Sequence, residues 1–479
     1  MDQQPGFSLS VSQNEYLSIG DTEMQAIITI TAGDPDGRPG ERQTPAAVVL
    51  AIDCSGSMGQ PPTKIAAARQ ATQAAIDAIR DGAFFAVVEG THQARPVYPT
   101  GDSLVAATAE TRTAAKAAVR RLVASGATAM GSWLRATEQL VAAHPAAVRH
   151  AILLTDGQNL PQYRRDLDEA LAACAGRFVC DGRGIGDDYE PAELERITAT
   201  LHGSADAILA DSDLVADFTA LMQAAMGKVV PDAQLQLRTM PFARLKFLRQ
   251  TFPVERDLTA FGTVIDERTV GFSTGSWSYG DEREFHLCLE VDRADHAMNE
   301  DIQACRADLA VVHAGSTRAE RCVRPQPVIV HWTADVELSS VMDPKVAASS
   351  GYGELAGAVR AGWDAYRDGD TGRAEADWGR AVALAAGKHN SDMLTRLGRI
   401  VEIIGDPADG NVRVRPGLRP RDIFSAILGA SSTTRNPDVP PPDRDGSATA
   451  KRTCPECQGV SPADALYCMD CGIPLGEPA

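Results

Sequence analysis

An unbroken apolar run, Ala46-Ala47-Val48-Val49-Leu50-Ala51-Ile52, stops abruptly at Asp53-Cys54-Ser55-Gly56-Ser57. A strand with no polar side chain must be buried on both faces, which requires a sheet covered by helices on each side. The following sequence meets that requirement. Residues 64–79 read as an Ala-rich helix and 84–88 as a strand, with helices at 111–123 and 131–143. A strand at 151–154, a helix at 166–174, a strand at 177–181 and helices at 191–201 and 212–226 complete the pattern. Alternation of this kind over residues 44–228 predicts an α/β domain with a doubly wound, mostly parallel, Rossmann-like sheet.

The flanks have a different texture. Within residues 1–43, Phe7, Leu9 and Val11 alternate with polar residues, and residues 24–30 repeat an apolar, Thr-rich pattern before a Gly/Pro/Asp-rich turn region. Residues 229–340 hold further short β runs separated by polar turns. An isolated hairpin is marginal in water, so the N-terminal segment is expected to pair with 229–340 in an antiparallel β-sandwich into which the α/β domain is inserted. The alternative is a separate hairpin packed on that domain. Residues 351–430 read as a small helical module. Leu355, Val359, Trp363 and Tyr366 form one stripe, and Ala374, Trp378, Ala381 and Leu384 the next, similar to one tetratricopeptide-type helix pair. Residues 431–453 are a Pro/Ser/Thr/Asp-rich linker to a terminal cysteine unit at 454–472. Within it, Ser431-Ser432-Thr433-Thr434-Arg435 reads as plain polar linker or as a phosphorylatable run.

Charge narrows the function classes. The 479 residues carry 64 acidic and 46 basic side chains, a formal net charge of −18. Such a chain repels phosphate backbones and anionic membranes. No basic and apolar leader opens the sequence, and no stretch is apolar enough to cross a membrane. Six of the ten cysteines are scattered in apolar contexts, where the thiol behaves as a small hydrophobe; a reduced, cytoplasmic setting is expected.

Asp53, Ser55 and Ser57 form a D-x-S-x-S at the carboxyl end of a strand, where open α/β sheets carry their sites. Downstream, Ser125-Gly126-Ala127-Thr128-Ala129-Met130-Gly131 puts a hydroxyl in a Gly-rich turn, and the strand at 151–154 leads into Thr155-Asp156-Gly157. On these residues the chain resembles the von Willebrand factor type A (VWA, integrin I-like) domain, over roughly 44–228. In that family these loops build a metal-ion-dependent adhesion site. The resemblance places Asp53, Ser55, Ser57, Thr128 and Asp156 on its ligand positions, and Phe178 to Gly186 on a later strand and loop. It implies Mg²⁺, or Mn²⁺ or Ca²⁺ in its place. Three hydroxyls and two carboxylates cannot fill and neutralise Mg²⁺ as a calcium cage of four carboxylates would. If Asp156 acts through water, as the resemblance implies, the ion stays open to an outside Asp or Glu. Alternatively, Ser55 and Ser57 merely cap the following helix, and Asp53 forms a strand-end turn.

Cys454-Pro455-Glu456-Cys457 and Cys468-Met469-Asp470-Cys471 have the spacing of a structural Zn²⁺ site. The pair is similar to the zinc-ribbon or rubredoxin-type knuckles found at bacterial chain ends; a disulfide pair or an iron site are the other readings. No P-loop, zincin motif or nucleophile elbow is present. Gly182-Arg183-Gly184-Ile185-Gly186 resembles a dinucleotide fingerprint only in its glycines. The expected function is a non-enzymatic cytoplasmic adaptor that binds an acidic residue of a partner protein. The alternative is a subunit working with an AAA-type ATPase in metal loading or protein remodelling, as the resemblance also allows.

Overall fold

The computed structural model describes residues 6–33, 44–144, 148–293, 298–312, 319–349, 352–431, 451–453, 455 and 460–462. Contacts divide the chain into two units, Met1–Thr434 and Arg435–Ala479.

In the first unit, β1 (Gly6–Gln13), β2 (Tyr16–Ser18) and β3 (Glu23–Gly33) come first. β1 and β3 pair antiparallel, with Phe7 opposite Ala32 and Leu9 opposite Ile30. The period-two alternation buries Phe7, Leu9, Met24, Ala26, Ile28 and Ile30 in one cluster.

The α/β region follows: β4 (Ala46–Asp53), α1 (Thr63–Ala78), β5 (Phe84–Gly90), β6 (Ala94–Tyr98), β7 (Val105–Ala106), α2 (Ala109–Val119), α3 (Met130–Ala142) and β8 (Val148–Thr155). It continues through α4 (Arg164–Cys174), β9 (Val179–Ile185), α5 (Pro191–Thr200), β10 (Ala205–Ile208) and α6 (Leu214–Met226). The sheet order is β10-β9-β8-β4-β5-β6, with β7 also on β5. β4 runs parallel to both β5 and β8, while β6 and β7 pair antiparallel with β5, so the sheet is mixed but largely parallel. Every residue of β4 is buried. Ala47 and Val49 face a core shared with α3, α4 and α5; Val48, Leu50 and Ile52 face one shared with α1 and α6. The chain passes from β4 to β5 on one side and returns through β8 on the other. The crevice where such a sheet carries ligands therefore lies between the ends of β4 and β8.

Glycines permit close packing here. A Cβ on Gly184 would lie 2.2 Å from the Tyr189 ring, and one on Gly182 2.5 Å from Leu194. The glycine run in β9 thus packs the helix and loop that follow it.

After α6 come β11 (Asp232–Thr239), β12 (Ala243–Phe252), β13 (Arg256–Asp257), β14 (Thr263–Asp266) and β15 (Thr269–Ser273). Then follow β16 (Glu282–Val291), β17 (Ile302–Val312), β18 (Ala319–Arg321) and β19 (Gln326–Thr333). They join the N-terminal strands in two sheets, β1-β3-β16-β12-β13 and β14-β15-β11-β17-β19-β2, with β18 on β17. Pairing is antiparallel except between β2 and β19. Both sheets contribute to one apolar core, with Ile28 and Phe285 from one and Leu235, Leu309 and Trp332 from the other.

The chain then forms α7 (Val336–Ser339), α8 (Pro344–Ser349), α9 (Tyr352–Arg367), α10 (Thr371–Gly387), α11 (Ser391–Ile400), the hairpin β20 (Val401–Ile403) and β21 (Val412–Val414), and α12 (Pro420–Gly429). Gly362 of α9 makes room for Trp378 of α10; a Cβ there would sit 2.4 Å from the indole. The Arg421–Asp187 and Arg396–Asp206 ion pairs and a 4.9 Å Tyr189–Phe424 ring contact join these helices to the α/β region.

The described part of the second unit is the antiparallel pair β22 (Lys451–Thr453) and β23 (Val460–Pro462). Cys454, Cys457, Cys468 and Cys471 lie outside the described residues, as does most of the predicted linker. Among the described residues, no helix is long and apolar enough to cross a membrane.

Candidate metal centre

The loop after β4 is held open by backbone bonds to its neighbours. Cys54 N–H donates to the Gly90 carbonyl at 2.7 Å, Ser125 N–H to the Cys54 carbonyl at 2.6 Å, and Gly56 N–H to the Gly126 carbonyl at 3.0 Å. Gly126 adopts the left-handed conformation this approach needs, with φ 81°. Gly90 lets Trp133 pack on the end of β5, since a Cβ there would meet the indole at 2.5 Å. Trp133 Nε1–H in turn donates to the Thr91 carbonyl at 2.7 Å. The Asp53 and Thr128 loops are thereby docked on each other.

Four of the five predicted residues form one hydrogen-bonded chain. Asp53 Oδ1 accepts the Ser55 N–H at 2.8 Å. Its Oδ2 accepts the Thr155 hydroxyl at 2.8 Å and the Asp156 N–H at 3.4 Å. The Ser55 and Ser57 hydroxyls are 2.9 Å apart, and Ser57 Oγ donates to Asp156 Oδ1 at 2.7 Å. Thr128, the fifth, is buried beside them. A Cβ built on Gly157 would lie 3.0 Å from Thr128 Oγ1 and 3.6 Å from Ser57 Oγ, so both hydroxyls border the same space.

Of the capping alternative, the strand-end turn is present, since Asp53 Oδ1 accepts the N–H two residues on, whereas the serine caps are not. Ser55 precedes a short 3-10 turn, Gly56–Gly59, without a side-chain capping bond, and the residue before α1 is Pro62, also without one. The serine hydroxyls turn to each other and to Asp156 instead.

Electrostatically the site is short of positive charge. Asp53 is fully buried, and no basic side chain reaches it among the described residues. Burial, with the nearby Asp156 charge adding, raises its pKa to about 6 even though Ser55 and Thr155 hydrogen bonds oppose the rise. Burial also pushes the neighbouring Cys54 thiol far above its usual range, which disfavours the nucleophilic thiolate. Hard oxygen donors with excess negative charge fit a divalent cation of the Mg²⁺ type. Among the described residues, no three of His, Cys, Asp or Glu converge; hydroxyls make up the rest of this donor set.

Two positioning residues escape the sequence reading. Asn159 is 2% exposed; its Oδ1 accepts the Met130 N–H at 2.7 Å, tying the loop after Asp156 to the start of α3. Lys64 donates from Nζ to Asp156 Oδ2 at 2.8 Å. Its signal is there in retrospect: Lys64, Ala68, Ala71 and Ala75 fall on one helical stripe, and all are buried.

A profile of the von Willebrand factor type A domain matches residues 46–207. The solved structure of a von Willebrand factor type A protein from Catenulispora acidiphila is 37% identical, with a TM-score of 0.82 over 91% of this chain and 98% of that one. The chain belongs to the von Willebrand factor type A family. That match spans the flanking modules as well as the VWA core. The ArnB paralog VWA2 from Sulfolobus acidocaldarius, at 13% identity and a TM-score of 0.53 over 89% of this chain and 98% of that one, shares the fold. Among curated proteins, none matches this chain.

Two further polar clusters of this VWA protein lie outside that site. His150 Nε2 and Asp181 Oδ2 are 2.7 Å apart, and the Ser204 hydroxyl donates to Asp181 Oδ1 at 2.7 Å. The carboxylate stands between serine and imidazole, so the imidazole does not reach the hydroxyl to activate it. A cavity of about 370 Å³ lies where α5, β13, α9 and α12 meet. Its Arg196, Arg256 and Arg360 are balanced by Glu195, Glu255 and Asp257.

Proposed function

We propose that this VWA protein is a non-enzymatic adaptor that captures an acidic side chain of a partner protein at a divalent cation held by Asp53, Ser55, Ser57, Thr128 and Asp156. The observation that carries this reading is the joined chain of hydroxyls and carboxylates at the β4/β8 crevice, with Asp53 buried and, among the described residues, lacking a counter-ion. Mg²⁺ bound there, or Mn²⁺ or Ca²⁺ in its place, would supply an electrophilic centre open to an outside carboxylate. The chain's own residues supply the rest. Asp53 is fixed by three donors, Ser57 and Asp156 hold each other, and the Gly90–Trp133 contact keeps the Thr128 loop against them.

The cytoplasmic setting belongs to the same proposal, supported by the six cysteines among the described residues, which are free thiols, five of them buried. So does Zn²⁺ at Cys454, Cys457, Cys468 and Cys471, supported by their spacing.

The test is recovery of partners on the full-length protein with Mg²⁺ and after chelation. Asp53→Ala should abolish Mg²⁺-dependent capture while leaving circular dichroism unchanged, and amidation of the partner's critical Asp or Glu should do the same. Capture that survives both chelation and Asp53→Ala in a folded protein refutes the reading. Recovery of an ATPase only in the presence of ATP would shift it to the energy-dependent alternative.

A further inference from the structure

The fold keeps a positive charge at Asp156 against several physical preferences. Lys64 is the second residue of α1, where the helix dipole disfavours a cation. Its side chain is 7% exposed, and burying an ammonium is costly unless it is paired. Nζ donates to Asp156 Oδ2 at 2.8 Å and lies 3.9 Å from the largely exposed Asp188 carboxylate. Gly186, at φ 86°, leaves it room; a Cβ there would be 3.0 Å from both Lys64 Cε and Nζ.

We propose that Lys64 is a resident counter-charge that weakens divalent-cation binding in the free protein and leaves the cation-loaded site with an excess positive charge for an incoming carboxylate. This deepens, and rests on, the metal-site reading above. Of the buried groups, Asp53 and Asp156 contribute two negative charges and Lys64 one positive; Asp188, 73% exposed, is largely screened by water. A dication therefore brings the site to one net positive charge, whereas without Lys64 it would end neutral. A net-positive, half-buried site attracts a carboxylate; a neutral one does so far less. The carboxylate in turn offsets the repulsion between ammonium and dication. Cation and acidic ligand thus strengthen each other's binding, by the same factor in either direction. A purely orienting role for Lys64 predicts the opposite for the cation alone, because losing it would release Asp156 and weaken binding.

The experiment titrates full-length protein with Mn²⁺, by calorimetry and water-proton relaxation, with and without acetate as the carboxylate probe. Lys64→Met should bind Mn²⁺ alone about tenfold more tightly than wild type, and acetate should raise Mn²⁺ affinity by a larger factor in wild type than in the variant. Lys64→Gln should behave alike and serves if the Met variant does not fold. Equal or weaker Mn²⁺ binding by a folded neutral variant, while Asp53→Ala still abolishes wild-type binding, overturns the counter-charge role and leaves the metal site standing. So does an acetate effect that is missing in wild type or is as large in the variants. Absence of Mn²⁺ binding in wild type and both neutral variants removes the metal site and this role together.

Discussion

Replacing Asp53 by Asn should stabilise the cation-free protein and at the same time make it insensitive to cations. The Asp53 carboxyl is fully buried, and burial, with the Asp156 charge adding, raises its pKa from 3.8 to about 6. A rise of that size means the ionised form costs the fold roughly 3 kcal/mol. The unfolded group ionises near 3.8 and the folded one near 6, so between these values the folded state keeps a proton that the unfolded state has released. The cost is complete above about pH 6 and gone below the unfolded value. Asn carries no charge and still accepts the Ser55 N–H. It forfeits an acceptor oxygen used by the Thr155 hydroxyl and the Asp156 N–H, a loss of about 1 kcal/mol. In chelator at pH 8, Asp53→Asn should therefore be the more stable protein by about 2 kcal/mol. The advantage should shrink as pH falls through 6 and vanish toward 4. Saturating Mg²⁺, at a hundred times its dissociation constant, should add about 2.7 kcal/mol to wild type and nothing to the variant. Urea unfolding followed by far-ultraviolet circular dichroism, with chelator and with Mg²⁺, measures both effects. The reasoning fails if the variant is no more stable than wild type in chelator at pH 8, or if Mg²⁺ shifts both midpoints alike.

The full-length, reduced protein should carry about one Zn²⁺ per chain, lost when Cys457 and Cys468 are both replaced by Ser; freshly purified wild type without zinc would sink that assignment. Burial, with the charges of Arg256 and Arg283 adding, lowers the His202 pKa to about 3. Between the ordinary histidine value and 3 the unfolded chain holds a proton the folded one lacks, so this stabilisation is full at neutral pH and is lost on acidification. His202→Asn, which tolerates the left-handed φ of 56°, should flatten the acid limb of stability by about 1.4 kcal/mol per pH unit relative to wild type in chelator. Parallel curves would refute the assignment.

Elements governed by local pattern are legible in the sequence. β4 declares itself by an apolar run that ends at Asp53, and α1 by small residues at helical spacing. β12 does not: Arg244 and Lys246 alternate with Ala243, Leu245 and Phe247, but the register shifts between Leu245 and Phe247 and again between Gln250 and Phe252, and Gln250 and Thr251 are buried polar residues. The antiparallel edge strands β6 and β7 and the four-residue β10 are too short to signal themselves, as are the three-residue strands β20 and β21 within the helical module. An N-terminal hairpin in need of a partner is deducible from the marginal stability of two strands. The register that meets the need, with Phe285 of β16 opposite Ile28 of β3, arises from matching buried faces across the whole inserted α/β region, and no local motif encodes it.

The candidate site divides in the same way. Asp53, Ser55 and Ser57 are adjacent, so their spacing alone draws attention; Thr128 and Asp156 stand at strand and helix ends, where open sheets place functional groups. Residue type announces a potential oxygen donor, whereas the charge balance around it is set by packing. Lys64 reads as an ordinary solvent-facing lysine until the stripe it shares with Ala68, Ala71 and Ala75 is seen to lie against the sheet. Asn159 likewise acquires its role only through the Met130 N–H it accepts. The informative residue in each case is a polar side chain on a buried face. Its desolvation has to be compensated by a particular partner, and that partner locates the site. Applied to α1, this logic takes Lys64 to Asp156, and from there through Ser57 to Ser55, without using the D-x-S-x-S spacing.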